Sequence, residues 1–302
     1  MICFLDRLRT GKILICDGAM GTQLMEHGLV AGECPESWCL THADVIRDIA
    51  SAYSSAGAEI VETNSFGGSA HKLNAYGLAD KIVELNRAAA KLAKEGIGAK
   101  GYVLGSVGPT GIFVRGEGGQ IAAINLYDSF ARQVVALAEG GADAICIETM
   151  WSVQEATQAI RAVKENTPLP VICTFTFNAG AKGYRSAVGV TPEQAALAAL
   201  DAGADAVGAN CGNGIDQMIE IAKLIRRAAP RAPILIQANA GLPTFADGKT
   251  VYKDTPEYMA LRVPELVAAG ANIIGGCCGT TPAHMAAIAE VVSRMRIPQL
   301  FH

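Results

Sequence analysis

A short glycine-containing phrase occurs four times in this chain of 302 residues, each time between a helix-like segment and a short apolar run. Each copy joins Ala-Gly-Ala or Gly-Gly-Ala to one polar residue, at positions 56–59, 140–143, 202–205 and 269–272. Glycine suits the position that follows a helix, because φ must become positive there. The apolar runs lack polar alternation, which is typical of parallel strands covered on both faces. The phrase therefore predicts repeated helix-to-strand units around a parallel sheet.

Further apolar runs bring the number of predicted strands to eight. The runs lie at positions 13–16, 60–61, 102–104, 144–147, 171–175, 206–207, 234–237 and 273–274. Amphipathic segments of helix length lie between them, at positions 45–56, 79–94, 128–138, 153–164, 215–228 and 259–268. Barrels of ~250 residues commonly form one domain. Eight such units without a break in composition predict an α/β fold, a single-domain (β/α)8 TIM barrel over residues 1–302; an open, doubly wound sheet is the alternative.

The composition excludes several classes of protein. Half of the residues are hydrophobic and 18% are charged, which excludes a disordered chain. The 25 basic and 29 acidic residues give a formal net charge of -4, so no nucleic-acid or membrane partner is expected. The sequence has no recognisable secretion signal and no run of ~18 apolar residues. A cytoplasmic protein with reduced cysteines is therefore expected.

Polar side chains and thiols that can bind a metal or a substrate recur at a fixed distance from the repeated glycines. Seven residues after each glycine stand Asn64, Glu148, Asn210 and Cys277. One position later, or at the same level after other strands, stand Cys211, Cys278, Asp17, Gly18, Ser106 and Asn239. All of these positions lie just past the C-terminal ends of predicted strands. In an α/β barrel, the active site lies at that end.

Cys211, Cys277 and Cys278 are the candidate metal ligands of this group. The adjacent pair would point to opposite faces of a regular strand, but the neighbouring Gly276 and Gly279 allow the backbone to leave strand geometry. Three thiolates on zinc leave a fourth position for a substrate, as in catalytic sites. A vicinal disulfide and simple core packing are the alternatives for the pair. The other six cysteines are interpreted as packing residues.

The charge of such a centre favours one kind of reaction. Three thiolates on Zn²⁺ leave a net negative charge, so the ion is a poor Lewis acid for making hydroxide. A metal-bound thiol, however, is held as a thiolate at neutral pH, which predicts alkyl transfer to sulfur. Glu148 would bind an ammonium group, and the Asp17-Gly18 turn would bind the carboxylate of an amino acid. A turn or cap role is the alternative for Asp17, and loop bracing is the alternative for Asn64 and Asn239.

These residues stand in motifs that resemble the homocysteine S-methyltransferase family over residues 10–292. The motifs are Asp17-Gly18-Ala19-Met20-Gly21-Thr22, Glu62-Thr63-Asn64-Ser65-Phe66, Ser106-Val107-Gly108-Pro109, Glu148-Thr149, Gly208-Ala209-Asn210-Cys211 and Gly275-Gly276-Cys277-Cys278-Gly279-Thr280. The resemblance implies a zinc-bearing barrel in which Cys211, Cys277 and Cys278 bind the metal and the sulfur of L-homocysteine takes the fourth position. It implies that Glu148 and Asp17-Gly18 hold the amino-acid end, and that Asn239 takes the fourth position without substrate. The further expected substrate contacts are Asn64, Ser106 and Asn210.

Within the family, the sequence most resembles the homocysteine-binding domain of cobalamin-dependent methionine synthase. This resemblance implies a zinc-dependent methyltransferase that forms methionine, with a methyl-corrinoid group on a separate protein or module as the methyl donor. S-methylmethionine and then betaine are the alternative donors, although betaine-using members carry an aromatic residue where Thr149 stands. The chain lacks the Asp-x-His-x-x-Gly cobalamin motif, so a fragment and a stand-alone subunit both stay open. Two other functions stay open: corrinoid-linked demethylation of another substrate, and a metal- or redox-binding barrel without turnover.

Overall fold

The computed structural model describes residues 2–246 and 249–295, and these form a closed barrel of eight parallel strands. In chain order the strands are Leu14–Ile15, Ile60–Glu62, Tyr102–Val107, Ala144–Met150, Val171–Phe175, Ala206–Asn210, Ile234–Ala238 and Ile273–Gly276. Each strand pairs with the one that follows it in the chain, and the eighth pairs with the first. The ring closes between the first and second strands, where Cys16 pairs with Ile60 and the Glu59 amide donates to the Ile15 carbonyl oxygen at 2.8 Å. The predicted (β/α)8 barrel is therefore confirmed, and the open sheet is excluded.

Helices surround the barrel, and one of them, Phe4–Arg9, covers its lower opening. They are Phe4–Arg9, Met20–Glu26, Trp38–Thr41, Ala43–Ser55, Ala70–Asn74, Ile82–Ile97, Tyr127–Glu139, Val153–Asn166, Pro192–Asp201, Ile215–Ala228, Pro256–Ala268 and Pro282–Arg294. Single 3₁₀ turns lie at Pro35–Ser37, Ala79–Lys81 and Ala123–Leu126. Among residues 2–246 and 249–295, no helix combines the length and the apolarity that crossing a membrane requires.

Two short hairpins, which the sequence did not indicate, extend the loops after the fifth and seventh strands. One pairs Asn178–Gly180 with Gly183–Arg185, and the other pairs Thr244–Ala246 with Lys249–Val251. The second lies in the loop of residues 241–254, between the seventh strand and the helix Pro256–Ala268. Positions 247 and 248 of that loop, like residues 1 and 296–302, lie outside the described residues.

The repeated glycine phrase has the geometry that the sequence predicted. The φ angles are 99°, 102°, 106° and 110° at Gly57, Gly141, Gly203 and Gly270. After each of these glycines the alanine amide donates to the last turn of the helix, as Ala58 does to the Tyr53 carbonyl oxygen at 3.1 Å. The glycine therefore ends the helix and sets the direction in which the next strand begins.

Most buried apolar side chains fill two regions, one between strands and helices and one inside the lower half of the barrel, toward the N-terminal ends of the strands. A third, smaller cluster contains Leu73, Ile82 and Leu85. The inner region includes Leu14, Leu104, Ile172 and Ile273. The helix Phe4–Arg9 covers the lower opening, with its apolar face in contact with this region. The polar side chains at the C-terminal ends of the strands are therefore left to form the opposite end of the barrel.

Candidate metal and substrate site

The three candidate metal ligands meet at the C-terminal end of the barrel. The Sγ atom of Cys278 lies 3.8 Å from that of Cys211 and 4.0 Å from that of Cys277, and all three sulfurs lie within 4.8 Å of one another. Tetrahedral zinc with Zn–S bonds of ~2.3 Å separates its sulfurs by ~3.8 Å, so the spacing fits a shared ion. A disulfide requires an S–S distance of ~2.05 Å, so a vicinal disulfide does not describe this pair. No other group of three metal-ligating side chains lies this close together in the part of the chain that is described.

Both cysteine segments converge on the seventh strand, which lies between them. The Cys277 amide donates to the Ala238 carbonyl oxygen at 2.8 Å, and the Cys211 amide donates to the Gln237 carbonyl oxygen at 3.1 Å. Cys211 has a φ of 58° and Gly279 a φ of 82°, so the chain leaves strand geometry at both segments. A positive φ at a residue with a side chain is a strained state that functional sites often contain.

The electrostatics and an unpaired oxygen near the cluster both fit a metal centre. Hydrogen bonds from the Cys211 and Cys277 thiols lower the pKa of Cys278 to about 3, so the cluster stabilises a thiolate, the form that binds metals. At the end of the seventh strand, the Oδ1 atom of Asn239 is buried and has no hydrogen-bond partner among the described residues. The next amide, that of Ala240, donates to the Cys278 carbonyl oxygen at 3.0 Å. The backbone that follows Asn239 therefore contacts the cysteine loop, and the Asn239 side-chain oxygen is unpaired.

A hydrogen-bond network fixes the carboxylate of Glu148. It accepts hydrogen bonds from the Ser106 hydroxyl and, at 3.0 Å, from the Asn210 side-chain amide. The other amide hydrogen of Asn210 goes to the Thr149 hydroxyl at 2.7 Å. The Asn210 side-chain oxygen, Oδ1, accepts from the Thr149 backbone amide and from the Thr174 hydroxyl, both at 2.8 Å. All four hydrogen-bonding positions of the Asn210 side chain are thus used by the protein.

A local break in strand geometry lies at Glu148. The pairing of the fourth and fifth strands shifts between Ile147 and Met150, and Thr149 has a φ of 58°. Glu148 is 7% exposed. Burial, followed by repulsion from the carboxylate of Glu62, raises the pKa of Glu148 well above its usual value. A ligand cation at this point would favour the ionised form.

Asp17 provides a second buried carboxylate at the end of the first strand. It accepts hydrogen bonds from the Glu62 backbone amide at 2.8 Å and from the Cys16 thiol at 3.3 Å. Burial raises the pKa of Asp17 to about 7. The next residue must be a glycine, because a Cβ atom on Gly18 would lie 2.6 Å from the Thr280 hydroxyl oxygen.

Two residues of the motifs have contacts that the sequence did not indicate. The Thr280 hydroxyl accepts from the Ala19 amide at 3.0 Å and donates to the Cys277 carbonyl oxygen at 2.7 Å, so it joins the Asp17-Gly18 turn to the cysteine loop. Glu62 carries the third carboxylate near the site. The two-residue alternation of strands, counted from the interior residue Ile60, would have placed Glu62 inside the barrel.

The remaining predictions have mixed outcomes. Asn64 is buried, and its side-chain amide donates to the Pro35 carbonyl oxygen at 2.7 Å. Loop bracing therefore occupies this amide, and contact with a substrate stays a prediction.

Of the six cysteines interpreted as packing residues, five are buried, but Cys3 is exposed and its thiol donates to Asp6 at 3.0 Å. The packing interpretation is wrong for Cys3, because the helix Phe4–Arg9 turns this end of the chain to the surface.

Fold and site together define a (β/α)8 barrel in which three thiols lie at the same end as buried carboxyl groups. The family model of homocysteine S-methyltransferase matches residues 14–292, so the chain belongs to this family of methyltransferases. The resemblance seen in the sequence motifs is thereby confirmed.

Curated relatives include two methionine synthases. The chain is 33% identical to methionine synthase of Mycobacterium tuberculosis over 308 residues, which cover 95% of this chain and 25% of that protein. It is 32% identical to methionine synthase of Mycobacterium leprae over 309 residues, or 94% of this chain and 24% of that protein. The chain thus spans about a quarter of the length of these relatives.

Solved structures of Escherichia coli homocysteine methyltransferase MmuM have the same fold. The metallated form superposes with a TM-score of 0.77 at 23% identity, covering 92% of this chain and 96% of that one. The oxidized form gives a TM-score of 0.75 at 24% identity, covering 95% and 98%. These similarities extend the agreement in fold over nearly the whole barrel.

Proposed function

We propose that this protein transfers a methyl group to the thiol of L-homocysteine and so forms methionine, in a zinc-dependent reaction. The observation that carries the proposal is the tetrahedral spacing of the sulfurs of Cys211, Cys277 and Cys278. The fixed carboxylate of Glu148 at the same end of the barrel supports an amino-acid substrate. Family membership and the methionine synthase relatives support the same reaction.

The three cysteines would hold the zinc ion, and the free oxygen of Asn239 is the candidate fourth ligand when substrate is absent. Bound zinc would supply a position at which the substrate thiol is held as a thiolate at neutral pH. The chain itself contributes the geometry of the ligands, which the strained backbone at Cys211 and the cysteine loop determine.

The remaining site residues would bind and orient the amino-acid end of the substrate. The carboxylates of Glu148 and Asp17 would accept hydrogen bonds from the ammonium group, whose charge favours the ionised form of both buried acids. Backbone amides of the Asp17-Gly18 turn would bind the substrate carboxylate. Fixing both ends of a short amino acid orients its sulfur for in-line attack on a methyl group and lowers the entropic part of the barrier.

A methyl-corrinoid protein or module is the methyl donor that we favour, because the two curated relatives at 33% and 32% identity are methionine synthases. S-methylmethionine is the second candidate and betaine the third. The side chain after Glu148 is that of Thr149, a small group where betaine-using members carry an aromatic ring. That difference makes betaine the weakest of the three.

The test combines metal analysis with a donor screen. We expect about one zinc per chain, and methylation of homocysteine with one of three donors: a methyl-corrinoid protein, S-methylmethionine or betaine. Treatment with a chelator should abolish turnover, and added zinc should restore it. The variant Cys3→Ser, which changes an exposed thiol outside the cluster, is the matched control. Absence of zinc, or absence of turnover with every donor, would contradict the proposal; failure of homocysteine to bind would favour demethylation of another substrate.

A further inference from the structure

A second layer of polar side chains lies inside the barrel below the candidate site. Gln237 stands two residues before Asn239 and Cys146 two residues before Glu148, so both occupy the inward-facing position one step lower. The carboxyl group of Glu62 adjoins the side chains of Gln237 and Cys146. This layer is the floor of the site, and the proposed function gives it no role.

Two oxygen atoms in the floor have no hydrogen-bond partner. They are Oε1 of Glu62 and Oε1 of Gln237, both buried and both unpaired among residues 2–246 and 249–295. The Gln237 amide nitrogen lies 3.9 Å from the Cys16 sulfur and also interacts with the Glu62 carboxyl group, but Oε1 of each side chain stays unpaired. Buried acceptors without a donor are unfavourable, and these two belong to side chains that adjoin each other. A proton on Glu62 would give each acceptor group a partner.

The charge near the site leads to the same requirement. Asp17, Glu62 and Glu148 act on one another electrostatically. No ion pair in the described part of the chain includes any of them. A substrate ammonium brings one positive charge, which would leave three ionised carboxylates with an excess of negative charge in a buried space. One neutral acid among the three reduces this excess.

Glu62 is the member of the group best suited to be neutral. Asp17 and Glu148 each accept two hydrogen bonds, which favour their ionised forms. Glu62 interacts with the side chains of Gln237 and Cys146, but its buried Oε1 atom has no partner. The titratable groups that face Glu62 are Asp17 and Cys16 from the first strand and Cys146 and Glu148 from the fourth. Burial and repulsion from Asp17 raise the pKa of Glu62 to about 8.

We infer that Glu62 is a neutral carboxylic acid that donates its proton to the side-chain oxygen of Gln237, and that this pair positions Asp17 for the ammonium group of the substrate. The link to Asp17 is the backbone amide of Glu62, which donates to the Asp17 carboxylate at 2.8 Å. Glu62 is thus a positioning residue that acts through Asp17. The part of the inference that concerns the substrate rests on the proposed function, whereas the protonation of Glu62 does not.

Infrared spectroscopy tests the protonation without substrate or turnover. We expect a C=O stretch of a protonated carboxyl group at about pH 6.5 in the wild type and in Glu84→Gln, a change at an exposed glutamate. Protonated Asp17 and Glu148 contribute to the same absorption, so the readout is the difference spectrum: Glu62→Gln should lack one component that the wild type keeps until the pH passes about 8. If Glu62→Gln removes no such component, Glu62 is ionised. The Gln237 amide would then be flipped, so that its nitrogen donates to Glu62, and the inference would be overturned.

The pH dependence of unfolding gives a second, independent readout. An acid whose pKa is higher in the folded than in the unfolded protein stabilises the fold at low pH, and this contribution is lost as the pH rises through the folded pKa. Between about pH 4.5 and about pH 8, the wild type should therefore lose stability relative to Glu62→Gln. Parallel curves for the two proteins would contradict a neutral Glu62.

Kinetics tests the positioning role. Glu62→Gln keeps a neutral hydrogen-bond donor, so we expect its KM for homocysteine within about threefold of wild type. Glu62→Leu keeps the bulk without the donor, so we expect KM to rise about tenfold or more with kcat and zinc content nearly unchanged. Equal impairment of both variants, or no effect of Glu62→Leu, would overturn the role. Should Glu62→Leu not fold, the comparison of Glu62→Gln with wild type decides. If the wild type itself turns over no homocysteine, the proposed function fails. The infrared spectra would still decide whether Glu62 is protonated, because they require no turnover.

Discussion

Cys211 and Thr149 share an unusual backbone conformation, since each has a φ of 58° without being a glycine. Both adjoin Asn210: Cys211 follows it in the chain, and Thr149 makes two hydrogen bonds with its side chain. Strained residues of this kind persist only where their surroundings fix them. Asn210 therefore connects the conformation of a candidate metal ligand with the position of Glu148.

Replacement of Asn210 by alanine should separate metal binding from substrate binding. The change removes one of the two hydrogen bonds to Glu148 and the acceptor of the Thr174 hydroxyl. We therefore expect kcat/KM for homocysteine to fall about 10- to 100-fold, as for residues that orient the groups in contact with a ligand. Zinc content should stay near that of the wild type. Steady-state kinetics and metal analysis check this, with the exposed Asn166→Ala as control. Wild-type kinetics in Asn210→Ala would mean that Glu148 needs no such support.

Loss of one thiol from the cluster should abolish metal binding and activity together. In Cys278→Ser the side chain keeps its size but loses the soft sulfur ligand, so we expect bound zinc to fall well below one per chain and activity to fall at least ~100-fold. Cys3→Ser should behave as the wild type. Metal analysis after dialysis and the methylation assay check this, and full zinc occupancy in Cys278→Ser would exclude its sulfur as a ligand.

At the scale of elements, the polar residue of the repeated phrase has a structural task. The Asp143 carboxylate accepts from the Val103 backbone amide at 2.8 Å and from the Lys94 ammonium at 2.7 Å. Asp205 repeats the pattern with Val171 and Lys164. In these two copies the phrase thus ends a helix and also joins the N-terminal ends of two neighbouring strands, which helps to fix the register that aligns the side chains at the opposite end.

The eighth strand packs closely against the end of the first strand at Gly275, where the absence of a side chain leaves the necessary space. A Cβ atom there would lie 2.9 Å from both the Asp17 carbonyl oxygen and the Cys16 Cβ. We expect Gly275→Ala to destabilise the fold by ~1–3 kcal/mol, the usual cost of overpacking, and to weaken zinc binding by moving the cysteine loop. Gly21→Ala is the control, since its Cβ would meet no atom within 4 Å, and it should stabilise by up to ~1 kcal/mol. Chemical denaturation and metal titration measure both, and equal stability of the two variants would contradict the close packing.

At the scale of the whole molecule, the barrel is closed at one end and polar at the other. The helix Phe4–Arg9 places Phe4 and Leu8 in the lower opening, at 3% and 5% exposure, and the Phe4 ring packs edge-on against Tyr102. All the candidate ligands and buried carboxylates of the site lie at the opposite end. Stability and the candidate site therefore depend on different ends of the same strands, as is usual in barrel enzymes.

This separation predicts a variant that loses stability without losing the site. Phe4→Ala removes a large side chain from the lower opening, so we expect a cost of about 3 kcal/mol with unchanged zinc content and unchanged KM. Ile2→Ala, at a side chain that is 53% exposed, is the control. Denaturant unfolding and the methylation assay check this, and a loss of zinc from folded Phe4→Ala would show that the two ends are coupled.

The sequence alone determined the features that depend on neighbours in the chain. The glycines that end helices, the apolar runs and the seven-residue distance to Glu148 and Cys277 are local patterns, because helix and strand periodicity arise from consecutive residues. The same patterns placed Cys211 and Asp17 at the correct end of the barrel. The sequence did not predict either hairpin. Their strands are only three residues long and lie in loops, where apolar periodicity is weak.

Only the tertiary structure decided how these residues meet. The 3.8 Å between the sulfurs of Cys211 and Cys278 depends on the order and stagger of strands that are far apart in the chain. The same holds for the four hydrogen bonds of Asn210 and for the unpaired oxygens of Glu62 and Gln237. These distances across the barrel are determined when the first strand pairs with the eighth and the second, a closure that no local pattern encodes.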